Sequence, residues 1–453
     1  MALDDSDLDT YREFVRLMRS KAPTEPVSWV GFANQHGNAD GFKYCPHGDW
    51  YFLPWHRGFL EMYETAAAAL MQNPKFAMPY WDWTAQRDYP EAFASKTYKG
   101  RPNPLFSPGD GDTFQPGTQV ARNPLGPKVL TDAIVGLEKV IDKIYRETVY
   151  ERFGTSRNRS QNNLDASWVI QGGGVQGILE ATPHNQIHNH IGGFMGQSNS
   201  PRDPIFMMHH GNIDRIWAGW NNLGRKNSTN KLWLAMVFQD NYVDPEGKLY
   251  TRGVKDLLAT SKLGYTYDNL PRPDARQPDP LRDSHLLALL GEPGAESVKR
   301  VKATASPVPT SGASTRALVH VEHRDLAEAV EPTRHGHPTE VVALISDIQV
   351  PDNVGAVRVF VNHPAVSLDV PETDPHFVTT IGFLHHGSGG GNGHHKALPS
   401  TIVDLTETLR GLSRSKQLTD DNVTVQLVPV ALPGVAPTAV TPVIPASVEI
   451  AFL

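Results

Sequence analysis

Two groups of histidines stand out among the 19 in the chain: His36, His47 and His56, then His184, His188, His190, His209 and His210. Neutral imidazole is a common metal ligand. A single histidine is usually an ordinary core or surface residue, but two clusters, one of them with helical spacing, point to metal binding. His184 and His188 are four apart, so on a helix they share a face and can grip one ion. His210 and Asp214 have the same spacing. His209 and His210 are adjacent and point about 100° apart on a helix, so only one of them is expected to ligate a given ion. His47 and His56 are nine apart, on opposite faces of a straight helix. His47 is therefore expected on a loop, His56 in the first turn of the following helix, and His36 on an earlier loop. Imidazole suits Zn, Cu, Fe and Ni. A di-iron bundle needs Glu-x-x-His motifs, and neither His184 nor His188 has a Glu three residues before it. Catalytic zinc takes three protein ligands and keeps an open position, so zinc stays open. Two all-histidine sites without carboxylates argue for copper.

Several helices must bring these groups together, as helix bundles do when they build metal sites. Apolar spacing predicts helices over 6–20 and 129–150, Pro54 as a first-turn residue with the helix formers Ala66 to Leu70 predicts one from Pro54 to about Met71, and 176–190 and 204–222 are two further candidates. Residues 22–53 read mostly as loop, Pro79 to Trp83 as an aromatic loop, and 99–128 as irregular. Composition changes near residue 270, where Pro271-Arg272-Pro273 and Pro278-Asp279-Pro280 begin a stretch that looks like a connector. After 316 the period becomes two, as in Val357, Val359 and Val361, then Val423, Val425 and Leu427, then Val448, Ile450 and Phe452. Gly387 to Gly391 reads as a flexible loop between strands. The expected fold class is multidomain α + β. A mainly helical domain with a four-helix-bundle core covers 1–270, a Pro/Ser-rich linker 271–315, and a β-rich sandwich or barrel 316–453.

Composition narrows the partners. The 453 residues are 39% hydrophobic and 20% charged, the profile of a folded globular protein. A net charge of -7 without a basic stripe excludes a nucleic-acid binder. No apolar run reaches the roughly 18 residues of a membrane span. The acidic N-terminus shows no signal peptide, so a cytoplasmic chain or a trimmed secreted form is expected. The sole cysteine, Cys45, excludes an intramolecular disulfide.

The run from His47 through Trp50, Phe52, Pro54, Trp55, His56 and Arg57, with Leu60 and Glu64, resembles the first copper signature of the tyrosinase family. Asp203-Pro204-Ile205-Phe206, His209-His210 and Asp214-Arg215 resemble the second. Pro79 to Trp83 is similar to the aromatic motif between them, and Gly264-Tyr265-Thr266-Tyr267 to the tyrosine motif of polyphenol oxidases. Residues 355–453 are more loosely similar to the C-terminal domain of plant-type polyphenol oxidases. The resemblance implies a type-3 centre of two copper ions with O2 as co-substrate. One copper would take His36, His47 and His56, the other His184, His188 and His210. His209 and His190 fall outside that pattern and are expected to pack or to support ligands. The resemblance also implies a thioether between Cys45 and His47, which would fix the His47 ring.

The resemblance further implies small phenolic substrates: o-hydroxylation of monophenols and oxidation of o-diphenols to o-quinones. A phenol with a pKa near 10 is only about one part in a thousand ionised at pH 7. The family's device against that is a water held by a Glu and an Asn, here Glu180 and Asn185. Asn189 and the stretch from Phe194 to Ser200 are expected at the entrance. The C-terminal domain is expected to keep the enzyme latent until it is removed or displaced. Its His376, His385, His386, His394 and His395 are expected on a solvated loop. A catechol oxidase or o-aminophenol oxidase without monophenolase activity, a haemocyanin-like O2 carrier and a zinc hydrolase are the competing readings. A monomer or small homo-oligomer is expected.

Overall fold

The computed structural model describes residues 5–38, 41–106, 122, 130–158, 173–270, 278–310, 313–330, 340–384, 398–418 and 421–453. Five helices frame the N-terminal part: α1 (Asp5–Arg19), α2 (Trp29–His36), α3 (Phe52–Leu70), α4 (Asn185–Ile191) and α5 (Ile205–Asn222). The helix α2 falls where the sequence reads as loop. Ser28 caps it by accepting from Gly31 N at 2.9 Å, and Trp29, Val30, Phe32 and Ala33 bury its apolar face. A Cβ at Gly31 would stand 2.3 Å from Glu25 O, so only glycine fits that first turn. α3 begins two residues before Pro54, with the proline in its first turn, where its missing N–H costs nothing.

Two expected helices are broken. The 129–150 segment forms Asp132–Val135, Leu137–Ile141 and Asp142–Arg146, and a separate turn follows at Tyr150–Phe153. The 176–190 segment starts as a strand at Val175–Gln176, passes a non-helical Thr182 and becomes α4 only at Asn185. Pro183, which lacks an N–H, sits at that break.

The C-terminal part is a sandwich of two five-stranded sheets. In chain order the strands are β1 (Val175–Gln176), β2 (Lys299–Lys302), β3 (Val308–Pro309), β4 (Thr315–His320), β5 (Val341–Gln349), β6 (Val354–Val361), β7 (Phe377–Gly382), β8 (Ser400–Asp404), β9 (Asn422–Ala431) and β10 (Ile444–Phe452). One sheet runs β7-β6-β9-β4-β3, the other β1-β8-β5-β10-β2. Alternating side chains such as Val357, Val359, Val423, Val425, Val448 and Ile450 form the core between them. The period-two pattern is present, yet every residue of β6 is buried. Arg358 and Phe360, which alternate with those valines, pack against Phe377.

The 271–315 stretch is more structured than a connector. Pro280–Leu289 is a helix whose Asp279 cap accepts from Leu281 and Arg282. Its Leu286 and Leu289 join Val149, Val342, Leu344 and Ile402 in a cluster that spans the helical and sheet parts. β2 and β3 also fall within that stretch. The Gly387 to Gly391 loop and His385, His386, His394 and His395 lie outside the described residues.

The two parts meet along α4. Gln186 Nε2 donates to Thr380 O (2.8 Å) and Asn185 Nδ2 to Gly382 O (3.0 Å). Asn189 Nδ2 donates to Gly355 O (2.7 Å) and Phe383 O (2.8 Å). The first two amides satisfy carbonyls of the edge strand β7, which has no strand partner on that side among the described residues; the third reaches Gly355 of β6 and Phe383 just past β7. Glycine at 382 permits the approach, since a Cβ there would lie 2.8 Å from Gln186 N.

Candidate metal centre

Each candidate ligand has its own support. His36 ends α2 and donates through Nδ1–H to Ser198 O (2.6 Å). His56 lies in the second turn of α3 and donates to Phe52 O (2.8 Å). His184 donates to Asn185 Oδ1 (2.8 Å) and His188 to Met195 O (2.6 Å). A carbonyl oxygen can only accept, so these four imidazoles carry their proton on Nδ1 and keep the Nε2 lone pair for the interior. Such contacts fix tautomer and ring orientation in metal sites.

The lone pairs converge. Ligand atoms of His36, Cys45, His47 and His56 all lie within 4.8 Å of one another, and so do those of His184, His188, His209 and His210. His210 Nε2 is 3.3 Å from His184 Nε2 and 3.2 Å from His188 Nε2. The sites adjoin: the His56 and His210 rings stack with centroids 4.3 Å apart, and His47 and His184 are 5.4 Å apart. All these side chains are buried. Burial pushes the imidazoles toward the neutral form, to about 3 for His56 and about 4 for His188, and well below the ordinary value for His36, His184, His209 and His210. They are therefore ready to ligate at pH 7. His36 Nε2 has no hydrogen-bond partner among the described residues. No carboxylate belongs to either group. This is a donor set of neutral imidazoles, with one thiol in the first group and no carboxylate, which suits copper better than oxygen-preferring metals.

Two expected placements change: His36 sits at a helix end rather than on a loop, and His56 in the second turn of its helix rather than the first. His209, which the resemblance places outside the ligand pattern, lies within the second group, its ring 5.3 Å from His184 and both nitrogens without hydrogen-bond partners among the described residues. The 100° offset separates the Cβ directions of His209 and His210, but both rings reach the same space. Asp214, at metal-pair spacing from His210, belongs to another network. It accepts from Arg57 Nε (2.7 Å) and from the hydroxyls of Tyr265 and Tyr267 (2.6 Å each). The tyrosine motif thus closes over the pair of helices that carries His56 and His210.

Cys45 Sγ lies 3.4 Å from His47 Nδ1 and 3.6 Å from His47 Nε2, nearly equidistant from the two nitrogens that flank Cε1. It is also 3.3 Å from His56 Nε2.

Glu180 is fully buried. Gly48 N donates to its Oε1 (2.7 Å) and the Thr155 hydroxyl to its Oε2. Burial outweighs both bonds, and Asp49 adds to the effect, so its pKa rises to about 8. Asn185 spends its oxygen on His184 and its amide on Gly382. Glu180, Asn185 and His47 line a cavity of about 90 Å³ together with Phe383 and Leu384 from the sheet part. Sequence reasoning did not single out Thr155, Asp49, Gln186 or Phe383. Only the position of Asp49, two residues after a ligand candidate, offered a signal.

Residues 26–223 match the common central domain of tyrosinase, and residues 319–441 match the chloroplastic polyphenol oxidase C-terminal domain. The chain is 31% identical to chloroplastic polyphenol oxidase A1 of Vicia faba over 62% of this chain and 48% of that protein. It spans about half the length of that relative and of the other plant polyphenol oxidases it matches. It is 25% identical to a tyrosinase of Hahella sp. over 94% of this chain and 93% of the relative. The fold is similar to that of latent apple tyrosinase, with a TM-score of 0.66, 22% identity, and coverage of 100% of this chain and 95% of that one. The chain carries a tyrosinase central domain followed by a polyphenol oxidase C-terminal domain, and its two histidine sites fit a dinuclear copper centre.

Proposed function

We propose that this protein oxidises phenols with O2. Two o-diphenols and one O2 give two o-quinones and two waters; one monophenol and one O2 give one o-quinone and one water. Bound copper supplies the redox chemistry. We assign His36, His47 and His56 to one ion and His184, His188 and His210 to the other. The observation that carries the reading is the convergence of neutral, carboxylate-free imidazoles whose Nδ1–H groups are pinned outward.

The residues of the chain divide the remaining work. Glu180, its pKa raised to about 8 by burial, is suited to exchange a proton with a bound phenol. Asn185 orients His184 through its Oδ1. The thioether between Cys45 and His47 would fix that ring against rotation. The sheet part covers the site: Phe383 and Leu384 reach the cavity beside His47, and Gly382 holds the Asn185 amide. The cavity is small, about 90 Å³, and walled by the sheet part, which supports a latent closed form whose sheet part moves before a phenol enters.

A catechol oxidase without monophenolase activity is the second reading. It is favoured by one observation: both Glu180 oxygens already accept hydrogen bonds, and none comes from Asn185. O2 uptake by copper-loaded protein, before and after protease treatment, with a monophenol and a catechol side by side tests both. Uptake with each substrate supports tyrosinase, and uptake with catechol alone supports the second reading. Reversible O2 binding without turnover of either substrate overturns the oxidase.

A further inference from the structure

Glu180 is gripped from behind by a side chain outside its cavity. Thr155 is fully buried and does not border the space lined by Glu180, Asn185 and His47. Its hydroxyl donates to Glu180 Oε2 and accepts from Gly177 N at 2.9 Å. A hydroxyl has one hydrogen to give, and here it goes to the carboxylate. Gly48 N holds the other oxygen, Oε1, at 2.7 Å. The two donors come from segments far apart in the chain, one beside His47 and one beside Phe153 and Gly154. Together they fix the plane of the Glu180 carboxyl group.

The backbone at Thr155 shows that a turn alone does not explain this residue. Its φ is 100°, in the region that glycine occupies freely and where a β-branched residue is an outlier. Glycine would serve a position needed only for the turn, and would do so without strain. Backbone strain that persists in a buried segment beside a reactive group is a reason to look at what the strained side chain touches. Here it touches Glu180 and Gly177 N. Gly177 N needs only an acceptor, which a water could supply. The oxygen of Glu180 needs a donor held in one place.

We propose that Thr155 is a positioning residue for phenol oxidation: its hydroxyl holds Oε2 so that the Glu180 carboxyl group stays in the orientation in which it exchanges a proton with a bound phenol. Thr155 touches neither substrate nor metal and acts through Glu180. The inference rests on the reading of Glu180 as the proton carrier.

The test begins with the infrared spectrum of the copper-loaded full chain at pH 6, where Glu180 is protonated because burial raises its pKa to about 8. The carboxyl C=O band that Glu180→Gln removes belongs to Glu180. Thr155→Val should shift that band to higher wavenumber, the mark of a lost hydrogen bond, and Thr155→Ser should leave it in place. In O2 uptake after protease treatment, Thr155→Val should lower the monophenol rate relative to the diphenol rate about tenfold, the weight of one hydrogen bond to a charged group. Thr155→Ser should restore the ratio. Thr155→Gly suits the positive φ and serves if Thr155→Val fails to fold; the same band shift and the same loss are expected of it. A purely structural role would instead lower both rates together. The proposal alone is overturned by a band that Thr155→Val and Thr155→Gly leave in place, or by a wild-type ratio in these variants while Glu180→Gln lowers it. Equal losses on both substrates in Glu180→Gln overturn the reading of Glu180 and the proposal with it.

Discussion

Asn185 donates its amide to Gly382 O at 3.0 Å while its own oxygen accepts from His184 Nδ1. One side chain thus connects a metal-ligand candidate to the edge strand of the covering sheets. Opening the cover and freeing Asn185 are the same event.

Gly382 is the point at which to disturb that event. Gly382→Ala would drive a methyl to 2.8 Å from Gln186 N, a backbone atom that cannot yield. Overpacking of this kind costs about 1–3 kcal/mol, paid by the closed state alone. Diphenol-dependent O2 uptake by intact protein should rise about tenfold, with little change after proteolytic activation. Equal uptake by intact wild type and variant would show that this seam does not set latency.

Metal stoichiometry separates the ligands from their neighbours. The wild-type chain should hold two coppers by elemental analysis. His36→Ala and His188→Ala should each retain about one, since loss of one of three imidazoles weakens a site strongly. His210→Ala should lose a copper while His209→Ala keeps both. The reverse result would exchange the roles of this adjacent pair.

Glu180 is expected to leave a pH signature on stability. Its pKa is raised to about 8 by burial, against an ordinary 4.5. Below pH 4.5 both folded and unfolded chains hold the proton, so nothing is lost. Between pH 4.5 and 8 the unfolded chain ionises first, and the folded state loses up to about 1.4 kcal/mol per pH unit. Glu180→Gln in the copper-free protein should flatten the fall in urea midpoint between pH 5 and 8. The same variant should lower monophenol turnover more than diphenol turnover; equal losses would argue against a role as base.

Burial depresses the histidines in the opposite sense. Their contribution is complete above about pH 6.5 and lost as pH falls toward the values of about 4 and 3 for His188 and His56. Copper-free protein should therefore destabilise steeply below pH 6, and copper loading should delay that loss, as read by melting temperature across pH 4–7.

The Cys45–His47 thioether replaces an S–H and a ring C–H with one C–S bond, with two electrons passing to an oxidant such as O2. Copper-loaded protein exposed to O2 should be two hydrogens lighter by intact mass and should resist thiol alkylation after denaturation. A full-mass, alkylatable protein would leave Cys45 a free buried thiol.

Much of the metal centre was legible because ligands recur at helical spacing and the flanking motifs are long. His184 and His188 predicted a shared face, and α3 and α5 fell where helices were expected. α2 was missed because a short helix among Gly, Asn and aromatic residues has little room for periodicity, although Ser28 before Trp29 was a usable cap signal. Helix geometry says that only one of His209 and His210 ligates a given ion, and the choice of His210 rests on the resemblance, because backbone direction alone does not say which ring turns toward the metal. The seam was invisible for another reason. Thr182 and Gln186 read as ordinary polar positions, Asn185 as a residue holding a water and Asn189 as one at the entrance, and only the arrival of the carbonyls of Thr380, Gly382, Gly355 and Phe383 makes them donors across the seam. Burial of both faces of β6 was likewise a property of the assembled parts, not of its alternating pattern.

The short strand β1 belongs to the chain segment that carries the metal ligands, yet Val175 and Gln176 pair in parallel with Ser400 and Thr401 of β8. The cover is therefore completed by a piece of what it covers. Severing the backbone between the two parts leaves this borrowed strand, the α4 amides and the Leu286 cluster in place, so a nicked molecule should travel as one particle until something pulls it apart. Once detached, the cover carries an unprotected margin at β8 that invites pairing with other chains. On the function proposed above, activation would be a matter of dissociation more than of cutting, and the discarded cover the fragment expected to precipitate.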